Sequence, residues 1–174
     1  MMEETNDLTV KSVAVKYGLI SAFLGIIFFL AVDLSGQSGN QTLSWIGVLI
    51  LLAVIYFAHK EYLSGGDGFM SYGQGLGIGT LLSLISGLIS GLFTYLYVTF
   101  INTSFVDDIR DKALMDLEEQ GLSDSQIEQA MKFTESFTSA EALFILGIVS
   151  SVFLGFILSL FVSAITKNSR PEFE

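Results

Sequence analysis

From Tyr72 to Ile101 the chain runs YGQGLGIGTLLSLISGLISGLFTYLYVTFI without a charged residue. A stretch of that length and apolarity is a membrane-spanning helix by its composition. Within it, small residues recur at every fourth position: Gly75, Gly79, Ser83, Gly87 and Gly91. A second set, Ser86, Ser90 and Thr94, lies beside the first. Residues four apart on a helix stack on one side. A stripe nearly free of side chains lets another backbone approach, which is how helices associate where lipid removes the hydrophobic drive between them.

Three further apolar segments accompany it. Spans are expected at about 13–32, 42–58, 73–101 and 142–165. Charged residues make up 15% of the chain, against roughly 25% in a soluble domain. The first span keeps its apolar run up to Asp33 with no Ala-x-Ala pattern, so it is expected to remain as a signal anchor. It carries small residues at four-spacing too: Ala14, Gly18 and Ala22. The second ends in His59-Lys60-Glu61, and its aromatics Trp45, Tyr56 and Tyr62 suit the two membrane interfaces. The third covers about 43 Å as a helix, at ~1.5 Å per residue, and is expected to tilt or protrude. Its start, Gly73-Gln74-Gly75-Leu76-Gly77, is dense in glycine and is expected to fray or kink.

The fourth span has its own small-residue ladder: Gly147, Ser151, Gly155, Ser159 and Ser163. The two longest ladders in the chain therefore lie on the third and fourth spans, and close packing between them is expected. Replacing Gly87 with Leu is the matching disruption. The helix-packing set is accordingly Gly75, Gly79, Ser83, Gly87, Gly91, Gly147, Ser151, Gly155 and Ser159.

Between these spans lies the one sizeable polar element, expected as an amphipathic helical hairpin over 104–138 outside the membrane. Val106, Ile109, Ala113 and Leu117 recur at helical spacing, as do Ile127, Ala130, Met131 and Phe137. Gly121 is placed to close the first helix in a left-handed cap. Ser123 and Gln126 have the spacing of a capping box, with Leu122 and Ile127 as its hydrophobic staple. The segment Asn102–Ala140 holds nine acids against three bases. The fold class is thus all-α: four transmembrane helices and a hairpin, in a single membrane domain over 1–174, with Glu3, Glu4 and Asp7 in a polar tail and Pro171 near the other end.

Orientation follows the Lys/Arg bias. Lys11, Lys16, Lys60, Lys167 and Arg170 fall on one side; Arg110, Lys112 and Lys132 fall in the hairpin on the other. Both termini are expected in the cytoplasm and the acidic hairpin in the periplasm or exterior.

The run FMSYGQGLGIGTLLSLISGLISGLFTYLYVTFI, the acidic helix, GLSDSQIEQAMKF and the last span together resemble a bacterial four-helix membrane family, the one catalogued as domain of unknown function 4199. The resemblance covers nearly the whole chain. It departs at Ile101-Asn102-Thr103-Ser104, where members are expected to carry a proline. It implies an inner-membrane protein. The family has no established activity, so no functional residue is carried over from it.

Chemistry is hard to place in these residues. With no cysteine, thiolate sites and cysteine nucleophiles are excluded. Gly75-Leu76-Gly77-Ile78-Gly79 lacks the strand and spacing of a dinucleotide loop and suits close helix packing instead. The lone His59 is expected as an interfacial residue, with no second histidine to build a zinc site. Asp107, Asp108 and Asp111 lack the glycine and terminal glutamate of a calcium loop, and the first two are favourable charges at a helix start. No catalytic residue, cofactor or metal is assigned. Nucleic acid is excluded as a partner by the want of clustered Lys and Arg at a net charge of −10. The expected partners are the lipid bilayer and another membrane protein or a second copy of the chain. The expected function is non-enzymatic: interaction, assembly or scaffold component, the alternative being a small channel or transporter lined by the Ser/Gly faces of the third and fourth spans. Ser83, Ser86 and Ser90 separate the two, since a pore needs them on a hydrated path.

Overall fold

Six helices follow one another in a computed structural model that describes residues 8–38 and 40–170. They are α1 (Val10–Leu34), α2 (Gln41–Gly65), α3 (Tyr72–Phe100), α4 (Phe105–Glu119), α5 (Asp124–Phe137) and α6 (Ala140–Thr166). The described residues contain no strand, only an isolated antiparallel pairing of Met70 with Asn168. The acidic tail residues Glu3, Glu4 and Asp7, and Pro171, lie outside the described residues. Helices α1, α2, α3 and α6 are each long and apolar enough to cross a membrane.

Their ends lie beyond the hydrophobic runs because polar residues cap them. Thr9 and Ser12 exchange hydrogen bonds at 3.0 Å, so α1 starts at Val10 rather than Val13. Asn40 Oδ1 accepts from the Thr42 amide at 3.0 Å and opens α2. Ser71 and Gln74 form the equivalent pair for α3: the Ser71 amide donates to Gln74 Oε1 at 2.7 Å, and the Gln74 amide to Ser71 Oγ at 3.2 Å. The glycine-dense start of α3 is therefore capped and helical from Tyr72, not frayed as its composition suggested. Ser139 Oγ accepts from the Ala142 amide at the head of α6.

The helices group into two compact units. One is drawn from the chain up to Ser90 and from Val149 onward; the other is Gly91–Ile148. In the first, the core gathers Val13, Ala14, Val54, Ile55, Ala58, Met70, Ile78, Leu82 and Val162. Much of what is buried is small: Ala14, Gly18, Ser21 and Ala22 on α1, and Gly155, Ser159 and Ser163 on α6. The large apolar side chains point the other way. Phe23 is 66% exposed, Phe153 67% and Ile165 83%. Small residues inside and large apolar residues outside is the reverse of a water-soluble core, and it suits helices solvated by lipid.

In the second unit, α4 and α5 occupy the polar interval and touch each other. Gly121 sits at φ +69° between them, a conformation open to glycine at little cost. The Ser123 amide donates to Gln126 Oε1 at 3.0 Å, completing the capping box. Val106, Ile109, Ala113 and Leu117 are half-buried, as are Ile127, Ala130 and Met131. Phe137 leaves the stripe assigned to it: it is exposed, and its ring lies 4.6 Å from that of Phe133, one helical turn away. Arg110 Nε donates to Thr138 Oγ1 at 3.0 Å, fastening α4 to the end of α5.

Candidate functional site

Helix α3 presents two different small-residue faces, and each meets a different helix. The first meets α6. A Cβ on Gly75 would lie 2.6 Å from Ser163 Oγ, and one on Gly79 would lie 2.8 Å from Ser159 Cβ. Going the other way, a Cβ on Gly155 would collide with the side chain of Ser83. Each step of four up α3 matches a step of four down α6, which is an antiparallel register. At every level one helix offers a glycine and the other a serine, so the serine occupies the room the glycine leaves. Ser151 Oγ adds a hydrogen bond to the Ser83 carbonyl at 2.9 Å.

The second face meets α1. A Cβ on Gly18 would lie 2.8 Å from Ile85 Cβ and 3.1 Å from the Leu82 carbonyl oxygen. Ser86 Oγ donates to Ser21 Oγ at 3.1 Å, and Ser90 Oγ to the Ala22 carbonyl at 3.5 Å. Serines 83, 86 and 90 are thus each set against a neighbouring helix.

Not every residue of the expected set joins the first face. Gly87 is buried. A Cβ on Gly91 would lie 3.2 Å from the Phe144 ring and 3.5 Å from Ile148 Cγ1, so Gly91 also meets α6, against large side chains rather than small ones. Gly147 is exposed, and a methyl added there would have nothing within 4 Å. The geometry of the helix accounts for Gly147 turning away. A step of four residues overshoots a turn of 3.6 by roughly 40°, so a ladder of five winds across roughly 160° of a straight helix.

At the end of this unit where α1 and α3 begin and α2 and α6 finish, polar groups collect. His59 is fully buried there. Its ring turns inward against neighbouring helices. Its Nε2 lies 2.9 Å from the Gly75 carbonyl on α3, and its Nδ1 lies 2.8 Å from Thr166 Oγ1 on α6. The helical spacing of Val54, Ile55, Ala58 and His59 continues one buried face, and that was the signal available in the sequence. The polarity of His59-Lys60-Glu61 masked it. The same contacts explain why α2 runs on to Gly65 rather than stopping near Ala58.

Two residues on, Glu61 leaves toward α1. Lys16 Nζ donates to both of its oxygens, at 2.9 and 2.7 Å, and the Tyr17 hydroxyl donates to Oε2 at 3.0 Å. Gln74 Nε2 reaches the Tyr62 hydroxyl at 3.0 Å. Beyond it, the paired backbones of Met70 and Asn168 (2.8 and 2.9 Å) and an Arg170–Asp67 ion pair close the chain over the start of α3. A cavity of about 420 Å³ opens among Tyr62, Ser71, Gln74, Asn168 and Arg170.

Chemically, these groups hold one another. Glu61 is shared between a lysine and a phenol. His59 is enclosed between a hydroxyl and a main-chain carbonyl. Among the described residues, no three His, Asp or Glu side chains come together in a way that could hold a metal ion. Asp107 faces Arg110 at 3.8 Å.

The class defined by this arrangement is an all-α protein with four helices long and apolar enough to cross a membrane. The chain belongs to the family described as protein of unknown function (DUF4199), whose model matches residues 16–168. No curated protein and no solved structure matches it significantly.

Proposed function

We propose that this chain is a multi-pass protein of the bacterial inner (cytoplasmic) membrane that acts through interaction, as an assembly or scaffold component, and catalyses no reaction. Both termini lie in the cytoplasm in this reading, and α4 and α5 form an acidic hairpin on the periplasmic or external side. The observation that carries it is the placement of Ser83, Ser86 and Ser90. A channel along the third and fourth spans needs these hydroxyls on a hydrated path. They are instead set against α6 and α1, with Ser83 fully buried. The partners are the bilayer and another membrane protein or a second copy of the chain. The exposed large apolar residues of α1 and α6 supply the lipid contact, and the acidic hairpin supplies a charged surface.

Reconstituted into liposomes, the protein should leave ion and small-solute gradients intact, and after mild solubilisation it should run as an assembly larger than one chain plus its detergent. A protein-dependent leak, or a lone monomer from native membranes, would count against the interaction reading. For orientation, an alkaline phosphatase fused after Glu119 should be active and a cytoplasm-dependent reporter at the same place silent; the opposite pattern would invert the topology.

A further inference from the structure

The surroundings of His59 decide where its hydrogens sit. The Gly75 carbonyl can only accept, so Nε2 must carry a hydrogen whatever the state of the ring. Thr166 Oγ1 is different, because a hydroxyl both donates and accepts. It lies 2.8 Å from Nδ1 and also 2.8 Å from the Val162 carbonyl of its own helix. It has one hydrogen for two acceptors. When Nδ1 is bare, the hydroxyl hydrogen turns to it. When Nδ1 is protonated, the ring donates to Oγ1 and the hydroxyl hydrogen turns to Val162. Either way each ring nitrogen keeps a partner, and only one bond rotates.

We propose that His59 is a proton-binding site built into the contact between α2, α3 and α6, able to gain and lose a proton while both of its hydrogen bonds persist. The inference goes beyond the interaction role and does not depend on it. A hydroxyl that rotates between two acceptors is what separates this site from a buried histidine fixed in one state. Protonation would turn both ring contacts into charge-assisted hydrogen bonds, tightening the tie of α2 to α3 and α6.

The charged and titratable groups around it are few. On its own helix, Lys60 and Glu61 follow it, with Glu61 engaged by Lys16 and Tyr17 of α1. The opposing start of α3 offers only Tyr72, whose hydroxyl donates to the Leu160 carbonyl at 3.3 Å. On α6 the contact is Thr166, and Lys167 comes next in the chain. None of the contacts that enclose the ring is a carboxylate, so the site binds a proton as such rather than an ion pair.

His59 is the sole histidine, so its imidazole nitrogens can be observed without assignment ambiguity. The test is ¹⁵N spectroscopy of histidine-labelled full-length protein in nanodiscs, from about pH 8.5 down to about pH 4.5, which spans the range in which histidine ordinarily titrates. At the alkaline end, the ring should be the neutral tautomer with hydrogen on Nε2. On acidification it should pass to the doubly protonated form in a reversible step while the protein stays folded. In Thr166→Val, which removes the rotating acceptor, the neutral form should persist to roughly one pH unit lower. A ring that stays neutral across the folded range, that protonates only as the protein unfolds, or that is neutral with hydrogen on Nδ1 would overturn the proposal.

Discussion

Gly79→Leu should strip the protein of most of its thermal stability in detergent, and Gly79→Ser combined with Ser159→Gly should restore much of what Gly79→Ser alone removes. Gly79 faces Ser159 so closely that an added methyl would meet the Ser159 Cβ at 2.8 Å and Ile55 Cγ2 at 3.3 Å. Both neighbours are buried, and the serine sits on the backbone of an adjacent helix, so neither can swing clear. Overpacking at such a site typically costs about 1–3 kcal/mol, and a leucine adds three more carbons to be housed. Exchanging the residues across the contact keeps the total volume and returns the glycine to the other helix. Recovery will be partial, because a side chain at position 79 also crowds Ile55 Cγ2, at 3.3 Å, which the exchange does not relieve. The coupling between the two changes is the informative quantity, since it isolates the contact from each residue's separate effect. Ser83→Ala is the control. Its hydroxyl is buried without a hydrogen-bond partner, so deleting it should leave stability unchanged or raise it slightly. Additive losses in the double variant, or an unperturbed Gly79→Leu, would mean that α3 and α6 do not meet here.

The second large effect is expected at His59. In His59→Ala, Thr166 loses its partner from α2 and the Gly75 carbonyl loses its donor, while the ring volume becomes a cavity between three helices. Lost packing and lost hydrogen bonds together should cost about 2–4 kcal/mol. Unfolding in increasing denaturing detergent should show that loss, and His59→Gln should fall between the two because its amide can reach one of the partners. A loss within about 0.5 kcal/mol, the range of an ordinary surface substitution, would show that the ring is not enclosed.

These two sites differ in how legible they were from the residues alone. The spans announce themselves, because some twenty apolar residues in a row have few other homes. Their ends do not. Thr9, Asn40, Ser71 and Ser139 are polar and fall outside any hydrophobic window, yet each caps a helix, so every span starts earlier than its apolar run. The turn at Gly121 was readable because glycine followed by Ser-x-x-Gln is local chemistry that needs no tertiary partner. The pairing of small residues was readable as far as the four-residue step allows. Gly147 was carried into the set by the step alone: it is exposed, with nothing within 4 Å of an added methyl.

Partners that come from distant parts of the chain were less accessible. Nothing in the sequence says that Gly18 will lie against Ile85, or that Gly18 and Ala22 will serve α3. His59 was hidden by its neighbours. A histidine beside lysine and glutamate at the end of an apolar run has the composition of an interface, and composition averages over the helix faces. Only the position of His59 on the same face as Ile55 and Ala58 separates it from Lys60, which is exposed. Likewise, Lys16 within the first apolar run acquires its meaning from Glu61, 45 residues away.

In the proposed reading, the serines of α3 are packing surface and not a conduit. The chain contains no cysteine, so thiols can be placed singly without altering a native background. Ser83→Cys, Ser86→Cys and Ser90→Cys, in membranes, should resist a small water-soluble thiol reagent under conditions that fully label Ser125→Cys on the exposed face of α5. Protection at all three is expected. Rapid labelling of all three, at a rate near that of Ser125→Cys, would place them on a water-filled path and contradict it.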